Sequence, residues 1–226
     1  MASTIDGTLN GSQDTPAVPI PTALPPAEAS PDRRAELLAI GRQLFARHAY
    51  DELSIDDVAA AAGVAKGLLY YYFKSKRGFY LATIRAEADE LLALAQPDPA
   101  LPPAERLRRT IDAYLAFVDE ASERFRALHL AGLGSDPEVR AIRDRDRAEF
   151  LRLIAEGVAH QPEPSPALRA ALEGWLSFIE GISLDWLDHR DLSATQLREL
   201  IVAALAGTLQ AALAVDPTLE IDFTVF

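Results

Sequence analysis

The chain has 226 residues, 49% of them hydrophobic and 25% charged, with a formal net charge of −12 at pH 7. These values suit a folded globular protein with enough apolar residues for one large domain or two smaller ones. The chain has no cysteine, which excludes disulfide frameworks, thiolate zinc sites, iron–sulfur clusters and cysteine nucleophiles, and this composition fits a reducing cytoplasm.

The charge is unevenly distributed along the chain. Residues 33–85 carry nine Lys and Arg against five Asp and Glu, a net of +4. Residues 86–226 carry thirteen against twenty-five, a net of −12. A protein that binds nucleic acid needs its cations at the contact and not throughout the chain. The sequence therefore predicts a basic module attached to an acidic body.

Residues 1–31 contain six of the fifteen prolines and show no regular apolar period, which predicts a disordered tail. They lack the basic and apolar regions of a secretory signal. Near the other end, Ile201–Val215 is strongly apolar but carries Thr208 and Gln210 and is shorter than the roughly 20 residues that a bilayer requires. We interpret it as a buried helix, so no membrane partner is predicted.

Two short helices joined by a tight turn are predicted after a first helix that begins at Ser30 or Asp32 and ends near His48. Ser54 is followed three residues later by Asp57, a capping-box pattern that starts the second helix. Gly63 suits the left-handed residue that ends it. A third helix, from about residue 65 to 73, follows at once. This arrangement predicts a helix-turn-helix.

The third helix should expose one face to DNA. If Leu69 and Tyr72 point inward, the helical period leaves the opposite side free to enter a major groove. Lysine and tyrosine can reach phosphates there, and a lysine in the first turn of the next helix suits a bound anion. All three lysines of the chain lie in this segment. The candidate DNA-binding residues are Ser54, Lys66, Gly67, Leu68, Tyr70, Tyr71 and Lys76.

Every later periodic segment has a helical period, so the fold class is all-α. Helices are expected near 76–95, 104–122, 124–133, 137–160, 166–188 and 194–214. The predicted organisation is a tail (1–31), a three-helix DNA-binding domain (32–85), and a larger helical domain (86–226).

The segment "LSIDDVAAAAGVAKGLLYYYFKSKRGFY", within residues 33–85, resembles the N-terminal DNA-binding region of the TetR family of bacterial transcriptional regulators. The resemblance implies a cytoplasmic homodimeric repressor that reads a palindromic operator and is released by a small, largely apolar ligand. Ser54, Lys66, Gly67, Tyr70, Tyr71 and Lys76 match family DNA-contact positions. Leu68 departs from the pattern, because many members have Thr, Ser or Asn there.

The resemblance also implies a ligand cavity among the middle helices and a four-helix dimer contact made by the last two. The residues proposed for the ligand site are Tyr114, Phe117, Phe125, His129, Phe150 and Phe178. Those proposed for the dimer interface are Trp175, Ile179, Ile182, Trp186, Ala204, Leu205, Thr208 and Ala212. Packing within one subunit is the alternative for each residue. Asp112 and Asp119 share a helix face and would favour a cationic ligand if buried.

An enzyme is the main competing class. The sequence has no phosphate-binding or dinucleotide glycine loop, "GISLD" around Ser183 lacks the last glycine of a nucleophile elbow, and the four histidines lack zinc-ligand spacing. Neither catalysis, a cofactor nor a metal is predicted. A second alternative is a regulator or scaffold controlled by a protein partner without a small-molecule effector. The run "RAIRDRDRAEFLR" fits a solvated, ion-paired helix face.

Overall fold

The computed structural model describes residues 30–130, 136–161 and 163–226. Within these ranges the chain forms α-helices and short 3₁₀ turns and no β-strand, which confirms the all-α prediction. The helices are α1 (Pro31–Arg47), α2 (Ile55–Ala62), α3 (Lys66–Phe73), α4 (Lys76–Leu94), α5 (Pro103–Glu120), α6 (Ser122–Leu130), α7 (Pro137–Ala159), α8 (Pro166–His189) and α9 (Ala194–Val215). The 3₁₀ turns are Tyr50–Glu52 and Phe223–Val225.

Most helices begin at a polar residue that caps the first turn. The Ser30 hydroxyl accepts a hydrogen bond from the Arg33 backbone N–H at 3.0 Å, and Pro31 opens α1. Caps of the same kind start α4, α7, α8 and α9 at Ser75, Asp136, Ser165 and Ser193. The predicted tail at 1–31 lies outside the described residues except for its last two, of which Pro31 belongs to α1.

The buried apolar side chains form two main clusters. One joins α1 to α4 around Leu37, Val58, Leu69 and Phe79. The other fills α5 to α9 and includes Leu115, Phe125, Leu172, Trp175, Ile201 and Leu205. A smaller cluster joins α4 to α7, with Tyr80, Leu81 and Ile84 against Val139 and Ile142. Helix α4 therefore contributes to the packing of both halves of the chain.

The contact between α1 and α4 depends on Gly41. A Cβ at this position would lie 2.6 Å from the Phe79 ring and 2.6 Å from the Thr83 hydroxyl oxygen, inside van der Waals contact. Phe79 is fully buried, so the neighbouring atoms have little room to move. Glycine at this position lets the two helices approach closely.

Helix α9 is longer than the apolar stretch from which it was predicted. It has 22 residues, and an 18-residue window within it has a mean hydropathy of 1.5. By length and composition alone it could cross a bilayer, a weak criterion that core helices also satisfy. Its Leu197, Ile201, Leu205 and Leu209 are fully buried, and it packs against α5 and α8. One face is thus a core face, as predicted.

Candidate nucleic-acid interface and ligand cavity

Helices α2 and α3 form the predicted helix-turn-helix. The Ser54 hydroxyl accepts the Asp57 N–H at 3.1 Å, and the Asp57 carboxylate accepts the Ser54 N–H at 2.8 Å, which is a complete capping box. Hydrogen bonding from the Ser54 hydroxyl is the main cause that lowers the pKa of Asp57. Gly63 ends α2 with φ 63° and ψ 34°, and α3 begins three residues later at Lys66.

Helix α3 has one buried side and one open side. Leu69 is fully buried and Phe73 is 5% exposed, whereas Lys66, Gly67 and Tyr70 are exposed, with 43% exposure for the Tyr70 ring. Burying a Leu or Phe side chain contributes about 1.5–3 kcal/mol to folding. The buried side therefore fixes the rotation of α3 about its axis and leaves the predicted face accessible.

Leu68 does not belong to that face. It is only 3% exposed and lies in the same apolar cluster as Leu69 and Phe73, so the prediction that it contacts DNA is wrong. The reason is the breadth of the buried stripe. Two adjacent leucines in the first turn of α3 both reach the core, because α2 and α4 cover that helix from two sides.

The three lysines lie at helix ends, with Lys66 at the start of α3, Lys74 at its end and Lys76 at the start of α4. The Lys66 ammonium lies 2.8 Å from the Asp56 carboxylate, and this hydrogen bond is the main cause that raises the pKa of Lys66. The Lys74 ammonium donates to the Tyr71 carbonyl at 3.0 Å. The Lys76 ammonium lies 4.1 Å from the centre of the Tyr50 ring, at the start of α4. Cation–π contact holds this charge near a helix N-terminus, where the dipole attracts anions.

Gly67 lies on the open side of α3, and the fold does not explain why this residue is glycine. A Cβ added there would meet no atom within 4 Å, in contrast to the crowded Gly41. Glycine within a helix costs roughly 0.5–1 kcal/mol relative to alanine. Glycine at position 67 lowers the stability of the helix, and the fold would have room for a larger side chain there. The absence of a side chain is consistent with the close approach of another molecule.

The neighbouring tyrosines have different surroundings. Tyr72 is half-buried, and its hydroxyl donates to the Ser30 carbonyl at 2.7 Å, which ties α3 to the start of α1. Phe73 is buried, so both residues have a structural role, which for Tyr72 agrees with the expected inward direction. Tyr71 is half-buried against the Tyr72 ring, with 5.2 Å between the ring centres.

A cavity of about 760 Å³ lies in the acidic body. It is bounded by α4, α5, α6, α7, α8 and α9, and its wall is mainly apolar. Four of the six predicted ligand-site residues line it: Tyr114, Phe125, His129 and Phe150. The volume lies within the range of small-molecule sites.

Phe117 and Phe178 do not line the cavity, so their prediction as ligand-site residues is wrong. Phe117 is 7% exposed within the α5–α9 cluster, and the Arg124 guanidinium lies 5.7 Å from its ring centre. Phe178 is 37% exposed on the outer side of α8. Aromatic character alone did not distinguish cavity, core and surface. Asp112 and Asp119 are also exposed, and they pair with Arg198 and Arg190.

Two polar groups stand out in the cavity wall. The Tyr114 hydroxyl lies 3.1 Å from the hydroxyl of the fully buried Ser183, and burial is the main cause that raises the pKa of Tyr114. His129 Nδ1 lies 2.8 Å from the Phe125 carbonyl oxygen, so Nδ1 carries a proton and donates. Burial is the main cause that lowers the pKa of His129. The neutral imidazole then leaves Nε2 as an acceptor.

The predicted dimer residues are mostly core residues of one subunit. Five are buried in the single chain: Trp175, Ile179, Trp186, Leu205 and Ala212. The indole N–H groups of Trp175 and Trp186 donate to the carbonyls of Ile201 and Leu192 at 3.1 and 2.8 Å. The prediction that these five residues contact a second subunit is therefore wrong, and packing within one subunit, the alternative, holds for them. Ile182, Ala204 and Thr208 are half-buried and remain candidates.

A different face of α8 and α9 is open. On α8 it includes Gly174, Phe178 and Gly181, and on α9 it includes Leu200, Ala203 and Gly207. A Cβ at any of the three glycines would meet no atom within 4 Å. The sequence signal for this face is the row of small residues on α9, which includes Ala203 and Gly207 beside the predicted Ala204 and Thr208.

Two ion-pair clusters join the DNA-binding segment to the acidic body. Arg77, the second residue of α4, donates to both carboxylate oxygens of Asp136 at 2.8 and 3.0 Å and also bonds Glu138 at the start of α7. These bonds from Arg77 are the main cause that lowers the pKa of Asp136 to about 2. The start of α4 is thereby fastened to the start of α7.

The second cluster surrounds Glu87 on α4. Its carboxylate is 7% exposed and lies 3.6 Å from Arg42 on α1 and 3.4 Å from Arg124 on α6. Burial is the main cause that raises the pKa of Glu87. The carboxylate therefore links α4 to α1 in the DNA-binding segment and to α6 in the acidic body.

The charged run on α7 is only partly a solvated face. Arg152 pairs with Glu149 and Glu156, as expected for residues three and four apart. Asp146 is buried, however, and the half-buried Arg147 donates to Glu180 on α8 at 2.7 Å. Across the described ranges, no group of three or more His, Asp or Glu side chains is placed to hold a metal ion.

Comparison with known proteins agrees with this geometry. Residues 37–83 match the family described as "Bacterial regulatory proteins, tetR family", and residues 103–207 match "Tetracyclin repressor-like, C-terminal domain". A solved structure of a TetR-family transcriptional regulator from Streptomyces coelicolor is 30% identical, with a TM-score of 0.72 over 84% of this chain and 85% of that chain.

Two curated relatives carry names that differ in the sign of regulation. The HTH-type transcriptional repressor DhaR of Mycobacterium sp. (strain GP1) is 26% identical over 179 residues, which are 78% of this chain and 80% of DhaR. The HTH-type transcriptional activator FasR of Mycolicibacterium smegmatis is 29% identical over 112 residues, which are 49% of this chain. The chain spans about half the length of FasR (51%). These relatives are regulators and not enzymes.

Proposed function

The chain belongs to the TetR family of bacterial helix-turn-helix transcriptional regulators, and on that basis we propose that it is a cytoplasmic homodimeric repressor, released from a palindromic operator by a small-molecule effector. The observation that carries the proposal is the open side of α3. There Lys66, Gly67 and Tyr70 are exposed while Leu69 and Phe73 hold the helix against the core.

The proposed DNA contacts divide into positioning and reading groups. Lys66 exchanges its Asp56 partner for a phosphate, and Lys76 places a cation beside the first backbone N–H groups of α4. Ser54 supports a phosphate at the start of α2. The Tyr70 and Tyr71 rings pack against sugars and thymine methyls, and Gly67 lets the backbone approach the groove.

Repression is the sign that the comparisons favour. The relative named as a repressor aligns with 78% of this chain, whereas the relative named as an activator aligns with 49%. Release from DNA by an effector also fits the structure. Helix α4 belongs to both the DNA-binding segment and the cavity wall, so a ligand bound in the cavity can alter the DNA-binding segment. Ile84, Ala88 and Leu91 of α4 line the cavity, and Lys76 begins the same helix.

Homodimerisation is proposed through the open face of α8 and α9. Small residues such as Ala203 and Gly207 let helices of two subunits pack closely, and a two-fold contact places two copies of α3 on one side of the dimer. Two recognition helices related by two-fold symmetry read half-sites about one helical turn apart, roughly 34 Å.

Selection of random duplex DNA by the purified protein at physiological salt, followed by sequencing, tests the proposal. We expect an enriched palindrome whose half-sites lie about one helical turn apart. The selected duplex then becomes the labelled probe for effector screening. No enrichment by a sample that unfolds cooperatively would refute sequence-specific binding by α3.

A regulator controlled by a protein partner is the competing function. A thermal-shift screen with small apolar compounds separates the two, because a ligand that binds the folded state raises the apparent stability. A compound that both stabilises the protein and releases the selected duplex supports the effector. A broad library that produces no shift favours the protein partner.

A further inference from the structure

Arg143 is the unusual charged residue of the cavity wall. It lies on α7 and is half-buried, and nothing in the described ranges forms a hydrogen bond or an ion pair with it. Arg147, one turn further along α7, also lines the cavity but is bound to Glu173 and Glu180 of α8. Partly buried cations are normally paired, so Arg143 retains the capacity to bind an anion.

His129 lies near Arg143 and offers a second polar atom. Both side chains line the same cavity. Burial is the main cause that lowers the pKa of His129, the nearby charge of Glu180 raises it, and the charges of Arg143 and Arg147 lower it. His129 Nδ1 is occupied by the Phe125 carbonyl, and Nε2 has no partner among the described residues. An anion bound between them would favour the charged imidazole, and both side chains would then donate to it.

The cavity is elongated and has charged residues of both signs along its wall. Its lining on α7 extends from Arg140 to His160, about 30 Å at 1.5 Å per residue. Arg143 and His129 lie towards the first end, where Asp144 and Asp146 also line the wall, and Glu156 and Asp222 line the other end. The wall includes these apolar side chains: Leu91, Leu107, Ile111, Ile154 and Trp175.

We propose that the effector is an amphipathic anion, with a carboxylate bound by Arg143 and His129 and an extended apolar body lying along α7. This inference rests on the proposed effector function and specifies its ligand class. A neutral ligand leaves Arg143 unpaired, and a cationic head group is repelled by it. The apolar body of the ligand displaces water from the cavity wall, which offers that water few hydrogen bonds.

Three ligands that share one alkyl chain test the head group: decanoate, decanol and decylammonium. Trp175 lines the cavity, so its fluorescence reports ligand entry, and thermal shift provides an independent measure. We expect decanoate to bind the full-length protein at least about tenfold more tightly than decanol, because a charge-assisted hydrogen bond contributes that much. Decylammonium should bind weakest. Equal affinity for decanoate and decanol overturns the proposal.

Arg143→Gln should remove the preference for decanoate and leave decanol affinity within about twofold. Arg143→Lys keeps the charge and should retain most of the preference, which also guards against misfolding of the glutamine variant. Arg169→Gln is the matched control, because Arg169 is exposed on α8 outside the cavity. A preference that survives in Arg143→Gln refutes the assignment. If none of the three ligands binds, the ligand class is wrong, while operator selection still tests the proposed function independently.

Discussion

Replacing Gly67 by alanine should stabilise the fold and weaken DNA binding. Gly67 is the second residue of α3, and an added Cβ meets no atom within 4 Å. Alanine is therefore accommodated without strain and removes the conformational freedom that glycine has in the unfolded chain. The expected gain is about 0.5–1 kcal/mol, which corresponds to a rise in Tm of about 1–4 °C for a chain of this length.

The same methyl group should interfere with DNA. If α3 enters the major groove, the Cβ occupies the space through which the backbone approaches. We expect the Kd for the selected duplex to increase by about tenfold or more, a loss of about 1.4 kcal/mol. Thermal unfolding followed by circular dichroism measures the gain, and fluorescence anisotropy with the labelled duplex measures the loss.

Gly157→Ala is the matched control. Gly157 is an exposed helical glycine on α7, and a Cβ there also meets no atom within 4 Å. Because Gly157 lines the cavity, both variants are compared without an effector. This variant should show a similar gain in stability with unchanged operator affinity. Wild-type affinity in Gly67→Ala would refute the close approach of α3 to DNA, and a lower Tm would show that the fold does require glycine at this position.

Four further predictions concern single side chains. Lys76→Ala should weaken binding to all DNA sequences and reduce the slope of log K against log salt by about 1; an unchanged slope in a salt titration would exclude a phosphate contact. Tyr71→Ala should impair operator binding in an anisotropy titration with little change in Tm, whereas a large drop in Tm would assign the ring to the core. Gly207→Arg should yield a folded monomer by sedimentation equilibrium, because it places a charge on the open face of α9; a persistent dimer would place the interface elsewhere. Asp136→Asn should lower stability at neutral pH. The Asp136 pKa is lowered to about 2 by Arg77, so the wild-type advantage is present above the ordinary carboxyl pKa and is lost as pH falls towards 2. Parallel urea curves at pH 7 and pH 2.5 measure this difference, and an equal difference at both pH values would argue against the ion pair.

Local sequence signals determined where the helices begin and end. Helix ends can be recognised in the sequence because a capping residue bonds backbone groups only a few residues away. The helix starts at Ser54, Ser75 and Ser193 and the helix end at Gly63 are of this kind. The same local reasoning identified the helix-turn-helix and the open side of α3. It also predicted the inward direction of Leu69 and Tyr72.

Tertiary structure decided which apolar side chains face the core, the cavity or the surface. Leu68 is buried although its helical phase suggested the open face, and Phe117 is core and Phe178 exposed although their aromatic character suggested the cavity. The apolar residues of α8 and α9 fall on more than one helical face, so the sequence pattern does not identify which face is buried. The packing of neighbouring helices selects it.

The ionic contacts also depended on the fold. The contacts of Arg77 with Asp136 and of Glu87 with Arg42 join residues far apart in sequence. Within the described ranges, Arg143 lines the cavity without an ion-pair partner. The sequence by itself determined an all-helical chain with a helix-turn-helix near its basic segment. Only the tertiary structure decided which charges meet and which face remains open, because these contacts depend on helices that pack together after they have formed.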